Sequence, residues 1–92
     1  MKLKMLDTTT LTANGSTPVW YPSQMQTVVA DGTFDGGTLK AELTPDNGTT
    51  YQDISDGSLT EDGHFNVTVG KGMGVRMTLS GATSPSINVW SR

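Results

Sequence analysis

Few residues in this chain could do chemistry. There is one histidine, His64, and no cysteine. Nucleophilic catalysis pairs a nucleophile with a base that a third group orients. His64 falls instead on the polar register of "HFNVTV", beside the turn "EDG", and reads as a surface residue. The acids Asp53, Asp56, Glu61 and Asp62 crowd one region and could attract Ca²⁺. An EF-hand loop, however, spaces oxygen ligands at alternate positions and ends on a Glu. That spacing is missing, so these acids read as solvated turn residues. "GKGMG", residues 70–74, lacks both the first glycine at P-loop spacing and the Ser or Thr that should follow. It reads as a flexible turn. A glycosidase pair of carboxylates is defined by distance, and no particular pair stands out. A structural Zn²⁺ site would lack soft ligands. The expectation is a non-enzyme with no catalytic residue, no metal and no cofactor.

The most ordered motif is "TPDNGTTY", residues 44–51, set between the alternating runs "TLKAEL" and "YQDI". Thr44-x-Asp46-x-Gly48-x-Thr50-Tyr51 is similar to the Asp-box pattern, Ser/Thr-x-Asp-x-Gly-x-Thr-Trp/Phe, with Tyr51 in the closing position. Its physics is local. A carboxylate at Asp46 can accept backbone N–H groups inside the turn, and Gly48 tolerates the positive φ that a tight turn demands. The aromatic then folds over the hairpin base. Sialidases carry several such boxes, one per propeller blade and away from the active site. A propeller needs at least about four blades, so 92 residues with one box cannot form one. Thr44, Asp46, Gly48, Thr50 and Tyr51 therefore read as a structural clasp.

The remaining candidates are aromatic. Pro18 and Pro22 bracket Val19, Trp20 and Tyr21, and neither proline can donate to a strand ladder. Trp90 is one residue out of phase with the apolar Ile87 and Val89, which turns it outward. With Tyr51 these rings could stack on the apolar face of a sugar. Aromatics at this density are more often core or subunit-interface residues, and that reading is preferred.

The elements that position these groups are strands. Leu39, Ala41 and Leu43 alternate with polar neighbours, as do Phe65, Val67 and Val69, and again Val75, Met77 and Leu79. Period-two alternation of this kind marks half-buried strands. Turn signals separate them: "DGG", "PDNG", "SDG", "EDG", "GKGMG" and "SGATSPS". Strands recurring about every ten residues predict an all-β fold, a small antiparallel β-sandwich of jelly-roll or Ig-like type. Residues 1–24 lack long alternation and predict an extended N-terminal arm leading to an edge strand. The sandwich domain is then 25–92, opening with a strand over about Met25–Ala30. An arm of this kind lies along a neighbour, or else it is an ordinary first strand of the same domain.

Composition agrees. Only 16% of residues are charged and 11 are Gly, while Thr, Ser and Asn carry the polarity. The net charge of −3 and the scattered six basic residues form no basic stripe, so no nucleic-acid partner is expected. No apolar run approaches the ~18–20 residues of a membrane helix. "MKLKMLDTTT" lacks the apolar centre of a signal peptide. A single small core without disulfide or metal is marginal alone, which makes self-association an expectation.

The order of these signals resembles a known group. "LTANGSTPVW", "ADGTFDGGTLKAELTPDNGTTYQDI" and "LTEDGHFNVTVGKGMGVRMTLSGATSPSINVWSR" together resemble the small β-sandwich virion proteins of tailed bacteriophages. The carrying feature is the tail end: an Arg-containing strand at Arg76, a "SGAT-P" turn and a last strand "INVW" reaching Trp90. The resemblance spans about Leu11–Arg92 and implies a capsid decoration, or cement, protein. Such a protein is made in the host cytoplasm, sits on the capsid surface of the virion and is often trimeric. Its partner is the major capsid protein, whose neighbouring subunits it bridges. The contact residues expected on this reading lie in residues 1–21 and at the exposed aromatics, with Val19, Trp20, Tyr21 and Trp90 as the candidates. A tail or fibre module that recognises host-surface glycan through Trp20, Tyr21 or Trp90 is the alternative.

Overall fold

The computed structural model describes residues 4–92. Eight strands follow in order: β1 Thr9–Leu11, β2 Gly15–Ser16, β3 Gln26–Thr33, β4 Thr38–Thr44, β5 Gln52–Leu59, β6 Gly63–Val67, β7 Gly74–Ser80 and β8 Ser86–Ser91. They form two four-stranded antiparallel sheets, β1-β8-β3-β6 and β2-β7-β4-β5. The pairs β1·β8, β2·β7, β3·β6 and β4·β5 nest inside one another like the two arms of a single long hairpin. Inward residues of both sheets share one core: Val28, Ala30, Ile87 and Val89 from the first, Leu39, Ala41, Val75, Met77 and Leu79 from the second. The alternation that identified the strands fills most of this core. At the end of β4, however, Leu43 is half-buried and Thr44 is buried in its place, while Phe65 and Val69, the latter beyond β6, pack only at its margin.

Residues 4–24 do not stand apart as an arm; residues 1–3 lie outside those described. Leu6, Leu11 and Trp20 are core residues, with Trp20 0% exposed. β1 extends the first sheet along β8, and β2 extends the second along β7. Past β2 the chain keeps bonding to β7: Thr17 N–H donates to Met77 O at 2.9 Å, and Trp20 exchanges two backbone bonds with Val75 at 2.9 and 2.8 Å. Pro18 interrupts this ladder because it has no N–H to give. The missing alternation had this cause, and the strand itself is present as an edge. The segment thus completes both sheets, the simpler of the two readings of residues 1–24. The strand expected over Met25–Ala30 runs over Gln26–Thr33, leaving Met25 outside it.

A second correction concerns "SDG". It is not a turn between strands but a bulge inside β5. Lys40 pairs with Ser58 while Glu42 pairs with Asp53, so residues 54–57 oppose Ala41 alone. Asp56 takes a positive φ of 59° there, which lets β5 bow outward while Ile54 still packs on the core.

Candidate functional site

The box hairpin joins β4 to β5. Asp46 Oδ1 accepts from Thr50 N–H at 2.8 Å and from the Thr44 hydroxyl at 3.1 Å, and Oδ2 accepts from the Thr50 hydroxyl at 2.8 Å. Gly48 N–H donates to Thr44 Oγ1 at 2.7 Å. Asn47 and Gly48 both take positive φ, 58° and 95°, the geometry that Asn and Gly tolerate best. A Cβ on Gly48 would lie 3.1 Å from the Tyr51 hydroxyl, so the closing ring folds back over the turn. The Thr50 N–H, then the Thr50 hydroxyl, hold the exposed Asp46 carboxyl below its ordinary value against a smaller opposing effect of burial. Both carboxylate oxygens of Asp46 are engaged within the loop that carries them, an arrangement for holding a turn.

Next to the hairpin, Arg76 of β7 lies over the Tyr51 ring, 3.5 Å from its centroid, and its Nε donates to Glu42 Oε1 at 2.8 Å. Thr78 Oγ1 donates to the same oxygen at 2.7 Å. Burial alone would raise the Glu42 carboxyl, but the bonds from Thr78 and Arg76, helped by the Arg76 and Lys40 charges, outweigh it and hold it low. Lys40 and Asp53 make an exposed ion pair at 3.6 Å, which contributes little. These groups brace the outer face of the second sheet.

The four acids close in sequence are separated by the fold. Asp53 pairs with Lys40, whereas Glu61 and Asp62 lie at the β5–β6 turn. There they rim an open concavity of about 560 Å³ with Asp35 and Phe34. Asp62 accepts from Gly32 N–H at 2.8 Å and Asp35 from Ser84 N–H at 2.9 Å, so these carboxylates cap loops. Among the described residues no group of three or more His, Asp or Glu is placed to hold a metal ion, and no helix is long and apolar enough to cross a membrane. His64 is exposed on the outer face of β6.

The candidate contact residues divide. Trp20 is buried, its Nε1–H donating to Gln26 Oε1 at 3.0 Å, so it offers no surface to a partner or a sugar. Val19 and Tyr21 are half-buried at the end of the sandwich that carries the box; the Tyr21 hydroxyl donates to Asn47 Oδ1 at 3.0 Å. This close approach depends on Gly74, where a Cβ would meet Val19 Cγ1 at 2.7 Å and Tyr21 Cε2 at 2.9 Å. Trp90 stands half-buried on the outer face of β8.

Two surface residues escaped the sequence reading. Met5 and Met25 are the exposed large hydrophobics among the described residues, at 43% and 61%. They lie at the same end, because Gln26 Nε2 donates to Lys4 O at 2.5 Å. The sequence places Met25 at the start of a strand, and nothing in its neighbours marks it as exposed. The buried network beneath was legible in part. Gln26 shares the inward register of Val28 and Ala30, and its Oε1 accepts from both Trp20 and Ser91. Comparison with protein-family models, with characterised proteins and with solved structures returns no match to this chain.

Proposed function

We propose that this chain is a structural bacteriophage virion protein, a capsid decoration protein that binds the outer capsid surface and bridges neighbouring capsid subunits. The observation that carries the reading is the winding. Eight strands nested as β1·β8, β2·β7, β3·β6 and β4·β5, then folded into the orders β1-β8-β3-β6 and β2-β7-β4-β5, have the connectivity of a jelly roll. That architecture recurs in viral capsid and lectin domains. This is an argument by fold analogy, and the resemblance of the Arg76–Trp90 tail end to phage virion proteins supports it independently.

Mechanism follows from mass action. A protein that binds only the assembled shell stabilises that shell by its binding free energy. The contact is proposed for the box end of the sandwich, where Met5 and Met25 are exposed. Gln26, which follows Met25, bonds both Trp20 and Lys4 and so places them at the end that carries Val19 and Tyr21. Flexible, polarisable methionine side chains adapt to an irregular partner surface. The same end would join copies of the chain into the trimer expected of a decoration protein. With Trp20 in the core, the exposed thioethers take the role first expected of that ring.

The double variant Met5→Asp with Met25→Asp tests this. Both side chains face solvent, so the melting temperature should stay within a few degrees of the parent. Co-sedimentation with capsids should be lost. Undiminished co-sedimentation by a folded double variant would sink the assignment of the contact. A copy number in purified virions far below that of the capsid protein would sink decoration itself in favour of a tail or fibre role. Light scattering that finds a monomer at tens of micromolar would remove the trimer.

A further inference from the structure

The outer face of the β1-β8-β3-β6 sheet has a composition unlike that of the box end. Antiparallel pairing puts directly opposed residues on one face, so the register defines its rows. Trp90 opposes Val29, and Val29 opposes His64. One row along, Thr10 opposes Asn88 and Asn88 opposes Asp31; on the other side Thr27 opposes Asn66. Burial alternates accordingly, with Ile87, Val89 and Ser91 buried while Asn88 is exposed and Trp90 half-exposed. One indole therefore stands near the middle of a sheet face, beside Val29 and amid amide, hydroxyl, carboxylate and imidazole groups.

These polar groups are oriented and only partly used. Asn88 accepts from the Thr10 hydroxyl at 2.7 Å and donates to Asp31 Oδ1 at 3.3 Å; Asn66 Oδ1 accepts from the Thr27 hydroxyl at 2.9 Å. That leaves the Asn66 amide N–H groups, the second Asp31 oxygen and both His64 ring nitrogens without a side-chain partner among the described residues. Asn66 and Asp31 are pinned by neighbours and still offer capacity, and His64 is exposed beside them, a set that suits a ligand rich in hydroxyls.

We propose that this face, centred on Trp90, binds a neutral glycan. A saccharide ring has an apolar C–H face that packs on an indole, and a rim of hydroxyls that can meet Asn88, Asp31, Asn66 and His64. A protein partner fits less well. The buried centre of a protein interface is apolar and depleted in charge, and this face has only Trp90 and Val29 to offer, whereas the methionine end has the apolar character. An anionic glycan is disfavoured by Asp31 and by the net charge of −3. The proposal does not rest on the capsid reading, and its test uses a different variant.

The full chain is titrated with cellohexaose, chitohexaose and maltohexaose while backbone amide resonances are followed. At least one hexaose should give saturable shifts confined to β8, β3 and β6 around Trp90. Trp90→Ala should weaken that binding by about tenfold or more, Trp90→Phe should retain most of it, and the melting temperature of both variants should show that they fold. Three outcomes overturn the proposal. The first is no response to any hexaose at about 10 mM, beyond which an affinity is negligible. The second is binding that Trp90→Ala leaves unchanged. The third is shifts that map to the box end. Loss of capsid co-sedimentation in Trp90→Ala with no hexaose bound would make the face a protein contact instead.

Discussion

At the scale of single residues, the box is a set of donors waiting for an acceptor. Thr44 is buried, and its hydroxyl serves both Gly48 N–H and Asp46. Thr44→Ala leaves that N–H short of a partner at a cost of about 1–3 kcal/mol, a fall in melting temperature of at least several degrees for a domain this size. An unchanged melting temperature would show that the hydroxyl is dispensable. Asp46→Ala should also lower it, and Asn47→Gly, which keeps the positive φ but loses the bond from the Tyr21 hydroxyl, should lower it less. The two depressed carboxyls give stability a direction with pH. Glu42 and Asp46 titrate below their unfolded values of 4.5 and 3.8. The folded state therefore gains from their ionised forms above those values, and loses that gain as pH falls through the lower folded ones. Thermal unfolding from pH 7 down to pH 2 should show stability falling below about pH 4.5, and Glu42→Gln should flatten that limb. An acid limb of the same steepness in the variant would assign the loss to other groups. The aromatic at Tyr51 was readable as a closing ring, but its stacking beneath Arg76 was not, since the two residues are brought together only by β4 lying between β5 and β7.

At the scale of elements, the first twenty residues are the instructive case. Pro18 and the threonines suppress the period-two signal, yet Leu6, Leu11 and Trp20 help fill the core. A short edge strand needs pairing on one side only, so it tolerates Pro18, and its few residues cannot display a period. Deleting residues 1–22 should therefore unfold the domain. It removes β1, β2 and three core side chains, of which Trp20 alone is worth about 3–5 kcal/mol against a total near 5–15. Circular dichroism of the truncated chain should lack a cooperative transition; a cooperative one near the parent temperature would mean the segment is expendable. β5 carries the complementary lesson. Gly and Asp in "SDG" signal a break, and the break is real, but the strand resumes in the same sheet because Ile54 and Leu59 both have core to reach. A bowed β5, a three-residue β1 and a two-residue β2 blunt three of the four sheet edges, leaving the five residues of β6 as the regular one.

At the scale of the whole molecule, the nested winding makes almost every pairing distant in sequence. β1 closes on β8, with Thr9 opposite Val89, and only β4·β5 and the β5–β6 turn are local. Such topologies fold slowly because loop closure precedes the contacts that reward it. Refolding followed by the fluorescence of buried Trp20 should take milliseconds to seconds; a submillisecond phase carrying the full amplitude would contradict the topology. Besides the β6 edge, the molecule exposes its ends and its two sheet faces. Two such surfaces differ in kind, an apolar end at Met5 and Met25 and a polar face around Trp90, and this difference is what allows the capsid and glycan proposals to be tested separately.

The all-β class and the local devices are written in short-range sequence. Alternation in β4, β6, β7 and β8 followed from the two-residue period of a strand. The box followed from the need of a tight turn for an acceptor and a positive φ, and the outward Trp90 from its phase against Ile87 and Val89. Where the aromatics of residues 18–22 go, which acids come together, and how eight strands divide between two sheets emerge only on folding. The physical reason is the same in each case. Periodicity and turn chemistry act between residues a few positions apart, whereas burial of Trp20 depends on β7 and Gln26, and the pairing order depends on which arrangement of strands shares one core.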